Sequence, residues 1–311
     1  MKKSLLLFAI IALTLQAYSQ RDASNAAIDD GRQYLDNQEY MEAIREFNRA
    51  VRMDAANPGA YIGRAKAKLG LNNYDAALND INQALQLDPD NEMAFYVKGE
   101  IYSALQEYAN ALENYEKALE INPDLIEAFR GKAFALNFLN RKKEAMSLVE
   151  KAIKNQPAEP LYYYTRGVLN IYREKYSKAL EDLNRALDLN PEENLFNIFL
   201  NRGVAYQNLQ EFENARADLS RAIQISPLRA SAYNSRGIVY YNMKDYDSAI
   251  QDFSRSLELA PDNDVAHYNL GMAYMRLEDY INACENFHKS CSLGNKNSCR
   301  MVLLECADFV Q

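Results

Sequence analysis

The four cysteines of this 311-residue chain, Cys284, Cys291, Cys299 and Cys306, fall in its last 28 residues at successive spacings of 7, 8 and 7. A step of seven returns a side chain to nearly the same helix face two turns on. The segment Leu293-Gly294-Asn295-Lys296 breaks the run between Cys291 and Cys299. Two antiparallel helices are therefore expected, with Cys291 paired to Cys299 and Cys284 to Cys306 as nested rungs. Zinc is the competing use of such a set, but the paired Cys-x2-Cys spacing of common structural sites is missing. A dithiol redox centre would show Cys-x-x-Cys, also missing. Unpaired buried thiols stay open as the alternative to two disulfides.

Histidine chemistry has only His267 and His288 to draw on, and His288, beside Phe287, reads as a surface residue. Aspartates and glutamates are scattered at helical surface spacing, where a solvated face is the ordinary reading, and nothing marks out a pair for acid–base work. No glycine-rich phosphate loop occurs. The residues supply no catalytic, metal or cofactor site, so the chain is read as a non-enzyme. Its function has to be sought in surfaces and in the elements that form them.

The first residues bear on compartment. Lys2 and Lys3 precede an apolar run from Ser4 to Leu15, and Gln16-Ala17-Tyr18-Ser19 follows, with small residues placed for a cut before Gln20. That is the layout of a secretory signal peptide over 1–19. The run is shorter than the roughly 20 apolar residues a spanning helix needs, so no transmembrane segment is expected after cleavage. An exported chain, periplasmic or secreted, follows, and an oxidising compartment permits disulfides. The formal charge of −8 becomes −10 once Lys2 and Lys3 are lost, and the pI is about 5.1. Nucleic acid is excluded as a partner, because phosphate binding needs a basic footprint.

Pro89, Pro123, Pro157, Pro191, Pro227 and Pro261 are separated by 34, 34, 34, 36 and 34 residues. With each proline at place 32, repeats begin near Ser24, Pro58, Glu92, Ile126, Pro160, Phe196, Ala230 and Asp264. Place 8 then holds only glycine or alanine (Gly31, Ala65, Gly99, Ala133, Gly167, Gly203, Gly237, Gly271), place 20 only alanine, and place 27 alanine or serine. Small residues are needed where two helices cross closely. Large residues recur at place 24, from Phe47 to Phe287, and a ring opens the second helix at place 17 in every repeat but the fourth, which has Lys142. His267 falls at the aromatic place 4, which favours packing over chemistry. Arg64, Arg166, Arg202 and Arg236 at place 7 each precede an aspartate by 16 residues (Asp80, Asp182, Asp218, Asp252), which predicts an ion pair inside those hairpins.

This pattern resembles the tetratricopeptide repeat family over residues 24 to about 295. The resemblance implies an all-α, right-handed superhelical solenoid of about eight helical hairpins over 20–295, to which the cysteine spacing adds a disulfide-stapled capping helix over 296–311, near Ser298 to Phe309. The segment Lys289-to-Cys299 is also similar to the Cys-x7-Cys step of secreted cysteine-rich helical-repeat proteins, where that pair is bridged. By the same resemblance, first helices line a concave groove through places 2, 5, 9, 12 and 13. That names Tyr96, Arg130, Phe134, Asn137, Phe138, Tyr164, Tyr172, Asn234, Tyr241 and Tyr268 as peptide-binding residues. The lysine–asparagine–arginine set with which some members grip a terminal carboxylate is absent, since place 5 reads Ile62, Tyr96, Arg130 and place 9 reads Lys66, Glu100, Phe134.

Rings separated by amides suit an extended or helical peptide. The expected function is a scaffold in the bacterial envelope, or secreted, that binds a protein or peptide in the groove of repeats 3 to 7. Two alternatives stand: a self-assembling structural protein, with a second copy as partner, and an accessory glycan-binding subunit.

Overall fold

A computed structural model describes residues 20–191 and 194–306; the signal-like segment 1–19 lies outside the described residues. These residues form seventeen α-helices and no strand. The chain divides into two compact units, 1–148 and 149–311.

The first unit holds α1, described over 20–36, α2 (Tyr40–Met53), α3 (Pro58–Gly70), α4 (Tyr74–Leu87), α5 (Glu92–Ala104), α6 (Tyr108–Ile121) and α7 (Ile126–Phe138). The division falls inside α8 (Lys142–Asn155). The second unit continues with α9 (Pro160–Tyr172), α10 (Tyr176–Asp188), α11 (Leu195–Asn208), α12 (Phe212–Ile225), α13 (Ala230–Asn242), α14 (Tyr246–Leu259), α15 (Asp264–Arg276), α16 (Tyr280–Ser292) and α17 (Lys296–Glu305). The two residues added in the 36-residue interval lie between Asp188 and Leu195, where Asn190 and Asn194 take left-handed backbone. The terminal helix starts at Lys296, before the expected Ser298, because Asn295 caps it by accepting from the Ser298 amide at 3.1 Å. The expected end near Phe309 lies outside the described residues.

One turn recurs between the helices of every hairpin. Its place-15 residue has positive φ: Gln38, Asn72, Gln106, Asn140, Glu174, Gln210, Lys244 and Glu278. The next amide bonds back to a carbonyl five residues upstream, as from Glu107 to Tyr102 at 2.8 Å and from Lys175 to Asn170 at 2.8 Å. This left-handed stop satisfies the orphan carbonyls of the first helix.

Hairpins close on the place-8 residues. A Cβ built on Gly237 would lie 2.6 Å from the Phe253 ring, and one on Gly99 would lie 2.6 Å from the Tyr115 ring. Phe47, Phe253 and Phe287 are among the largest fully buried side chains. The place-4 side chains tie each hairpin to the preceding loop. Tyr61, Tyr163 and Tyr233 hydroxyls donate to the carbonyls of Ala55, Pro157 and Pro227, and a His267 ring nitrogen lies 3.1 Å from the Pro261 carbonyl.

All four expected Arg–Asp pairs form. Arg64 and Asp80, Arg166 and Asp182, Arg202 and Asp218, and Arg236 and Asp252 close at 2.6–3.0 Å with two guanidinium nitrogens on each carboxylate. The aspartate raises each arginine pKa by hydrogen bond and charge, against burial, which lowers it and is the largest single effect at Arg202. Place-7 cations also reach back to place 25 of the preceding hairpin: Arg64 to Asn48, Lys98 to Asn82, Lys132 to Glu116, Arg202 to Asn184 and Arg236 to Ser220. At Arg64, Arg202 and Arg236 one side chain thus joins two helices of one hairpin to the hairpin before it.

First helices also touch one another, α3 with α5 and α5 with α7 in the first unit, and α9 with α11, α11 with α13 and α13 with α15 in the second. They line the inner side of each unit. Among the described residues, no helix is long and apolar enough to cross a membrane.

Candidate binding surfaces

In the first unit the inner side carries charge. Lys66 stands over the Tyr96 ring at 5.6 Å, and the Tyr96 hydroxyl donates to Glu100 Oε1 at 2.5 Å. Burial holds the Glu100 carboxyl above its ordinary value, against the Tyr96 hydrogen bond and the Lys66 and Arg130 charges, which favour the ionised form. Burial and the neighbouring Glu100 together push the Tyr96 hydroxyl far up. A cleft of about 520 Å³ opens beside this cluster, lined by Arg32, Asp36, Gly59, Ile62, Lys66 and Glu92 among others.

Of the expected groove residues here, Tyr96 is only 6% exposed. It lies against Tyr115, ring centroids 6.2 Å apart. Asn137 is likewise buried, and its side-chain oxygen has no hydrogen-bond partner among the described residues. Arg130 and Phe134 are partly buried. Phe138 stacks on Tyr108 at 4.6 Å yet stays 44% exposed.

In the second unit Tyr164 is buried, its hydroxyl accepting from Asn201 Nδ2 at 3.3 Å. Asn234 accepts from Asn269 Nδ2 at 3.1 Å. Tyr241 accepts from Arg276 Nε at 2.9 Å, with the guanidinium over its ring, and lies edge-on to Tyr246. Tyr268 leans on Phe287 at 6.0 Å. Tyr172 stays 49% exposed. Bridges between hairpins thus occupy several residues read from sequence as contact residues: place 5 or 12 of one repeat bonds place 6 or 13 of the next.

Between hairpins seven and eight these bridges leave a pocket of about 220 Å³. It is lined by Ile238, Tyr241, Asn242, Phe253, Tyr268, Asn269 and Met272. The floor is apolar and the exposed Asn242 stands at the rim. Tyr241 and Tyr268 were expected there by name, and Ile238, Asn242 and Met272 occupy places 9, 13 and 9, which also belong to the expected groove; Asn269 lies at place 6, outside those places, although Asn201, Ser235 and Asn269 recur there.

Charge separates the two inner sides. Places 2, 5, 9, 12 and 13 of repeats five to eight hold one charged residue, Arg276, in twenty positions. The same places of repeats one to four hold six: Arg32, Asp36, Lys66, Glu100, Glu127 and Arg130.

At the end of the second unit two disulfides join Cys284 to Cys306 and Cys291 to Cys299, with Cα atoms 5.6 and 4.7 Å apart. His267 contacts Asn286 at 2.9 Å and is part of the packing. Among the described residues, no group of three histidine, cysteine or acidic side chains is placed to hold a metal ion.

Five tetratricopeptide repeat family models match, at residues 62–126, 102–168, 160–193, 196–227 with 265–297, and 230–263. No curated protein matches. Among solved structures, one chain of the APC/C hetero-tetramer Cut9–Hcn1 is similar at 16% identity and a TM-score of 0.66. The match covers 88% of this chain and 54% of that one, so this chain spans about half its length. A tetratricopeptide repeat protein from Parabacteroides merdae is similar at 18% identity and a TM-score of 0.59, over 81% of this chain and 99% of that one.

Proposed function

Since the chain belongs to the tetratricopeptide repeat family, whose members generally act as protein-interaction scaffolds, we propose that it binds a protein or peptide partner on the inner side of its second unit, without chemistry of its own. The pocket between hairpins seven and eight anchors that partner. The observation that carries this reading is the near absence of charge on that inner side, in a chain that is 25% charged. A surface left to water has no reason to exclude charge. One that must desolvate against a partner does, because each unpaired charge buried there opposes binding.

Volume and lining define the anchor. About 220 Å³ with an Ile238, Phe253 and Met272 interior admits one large apolar side chain. Asn242 and Asn269 at its edge can bond the main chain beside that side chain. The reading extends to an exported scaffold of the bacterial envelope or beyond it, supported by the signal-like layout of 1–19 and by the two disulfides.

A crosslinking pull-down of the chain from its native envelope, beside an Asn242→Arg variant, tests this. Asn242 is exposed, so the variant keeps its core and places a long charged side chain across the pocket mouth. Partners held by the wild type and lost by the folded variant are expected. The same partners captured by both would refute the anchor.

Self-association is the second reading, favoured by Leu303 and Leu304 on α17, which are 79% and 62% exposed. Mass in solution that rises with concentration, and stops rising in a Leu303→Lys/Leu304→Lys variant, would support it over the first.

A further inference from the structure

We propose that the disulfide-tied helix α17 is a redox-sensitive brace for the pocket between hairpins seven and eight, a regulation that rests on that pocket being the binding site. Tyr268 and Met272 line the pocket on one side. On their other side they pack against the cluster of Ala283, Cys284, Phe287 and Cys306, together with Met301 and Val302 of α17. The Cys284–Cys306 disulfide therefore lies behind the pocket wall.

Among the described residues, little apolar burial holds α17. Ser298 is its one buried residue, and Met301 and Val302 are only partly buried, while Leu303 and Leu304 face water. Its start is fixed by polar contacts: Ser298 Oγ donates to Ser290 Oγ at 2.6 Å, Ser290 Oγ to the Asp264 carbonyl at 2.7 Å, and Asn295 Nδ2 to Asp264 Oδ2 at 3.0 Å. A ten-residue helix with so small an apolar face is below the length that is stable alone in water. The two covalent ties are what keep it docked.

Access ranks the two ties. Cys291 and Cys299 are partly exposed, whereas Cys284 is 3% and Cys306 0% exposed. An external dithiol reaches Cys291–Cys299 first; the other bond opens once the helix frays. Each exchange moves two electrons and two protons from the dithiol to the cysteines: the S–S bond breaks, two thiols form, and the reagent closes to its own disulfide. Once the Cys284–Cys306 tie is gone, the C-terminal half of α17 leaves, water reaches Phe287, and the Tyr268 and Met272 wall loses its backing.

Hydrogen exchange of α15 in the full oxidised chain, before and after dithiothreitol, tests the brace, with a mass gain of about four units confirming reduction of both disulfides. Exchange over 264–276 is expected to rise at least tenfold while 160–172 in α9 is unchanged. Cys291→Ser/Cys299→Ser should stay protected when oxidised, and Cys284→Ser/Cys306→Ser should not. Unchanged protection in the fully reduced chain, or two variants that behave alike, overturns the brace.

A photocrosslinker at position 242 reads the consequence for binding, with at least a fivefold drop in captured partner expected on reduction. Undiminished capture beside a loosened α15 overturns the regulation and leaves the site standing. No capture in either redox state overturns the site and its regulation together, and the exchange result distinguishes that from a failed brace.

Discussion

Arg202 and Asp218 illustrate what single residues contribute to this array. Asp218→Ala leaves a guanidinium that is only 19% exposed without its carboxylate. Removing one partner of a fully buried pair costs about 3–5 kcal/mol, and the remaining exposure brings the expected loss to about 2–3 kcal/mol. Urea unfolding measures the loss, and faster exchange in α11 and α12 locates it. Place 8 gives a second case. Gly237→Ala pushes a methyl to 2.6 Å from a Phe253 ring that is 1% exposed and cannot yield, costing about 1–3 kcal/mol. The repeats with alanine at place 8, Ala65 and Ala133, are the two with β-branched residues at place 24, Ile81 and Val149. Phe253→Ile should therefore recover part of the Gly237→Ala loss in a double-mutant cycle; strictly additive losses would contradict it. Glu100 supplies a pH dependence. Its folded pKa lies above the ordinary value, so its contribution is most favourable below about pH 4 and is lost as pH rises through the raised value. Glu100→Gln should match the wild type at pH 3.5 and exceed it at pH 7.5 in thermal unfolding; parallel pH curves would contradict the assignment. The Arg–Asp spacing was legible because both partners repeat. The place-25 acceptors Asn48, Asn82, Glu116, Asn184 and Ser220 vary in type, so their common role became plain only with the hairpins stacked.

Helix ends were legible where a residue type marks them and not where only backbone does. The prolines and the Asn57, Asn91 and Asn263 caps mark starts and stops. The left-handed stop of each hairpin turn leaves no such mark, since its eight residues include no glycine. Lys244→Gly removes the side-chain strain of left-handed backbone at φ 64° and should raise stability by about 0.5–1 kcal/mol, read by urea unfolding. A neutral or destabilising result would show that the turn is not strained. The terminal helix follows the same division. Cysteine spacing gave its pairing, but its scant apolar face needed the structure, because heptad position alone does not say that Leu303 and Leu304 point to water. Groove residues were the least legible. Place 5 rings can either face a partner or pack within the array: Tyr96 is buried and bonds Glu100 of its own helix, and Tyr164 bonds Asn201 of the next hairpin.

At the scale of the molecule, an array of hairpins distributes stability over neighbouring contacts, leaving side chains on its inner sides available for recognition. The two inner sides have been given different chemistry: charged clusters around Glu100 in the first unit, and amides and rings around a pocket in the second. The periodicity that reveals the fold also conceals this asymmetry, because it appears only when the same places are compared between halves of the chain. The most direct measurement is site-specific photocrosslinking in the cells that make the protein, with the reactive side chain at position 242 on the pocket rim or at position 178 on the exposed side of α10. The account expects a discrete partner band from 242 and none from 178. Bands of equal strength from both positions, or from 178 alone, would contradict binding on the inner side of the second unit.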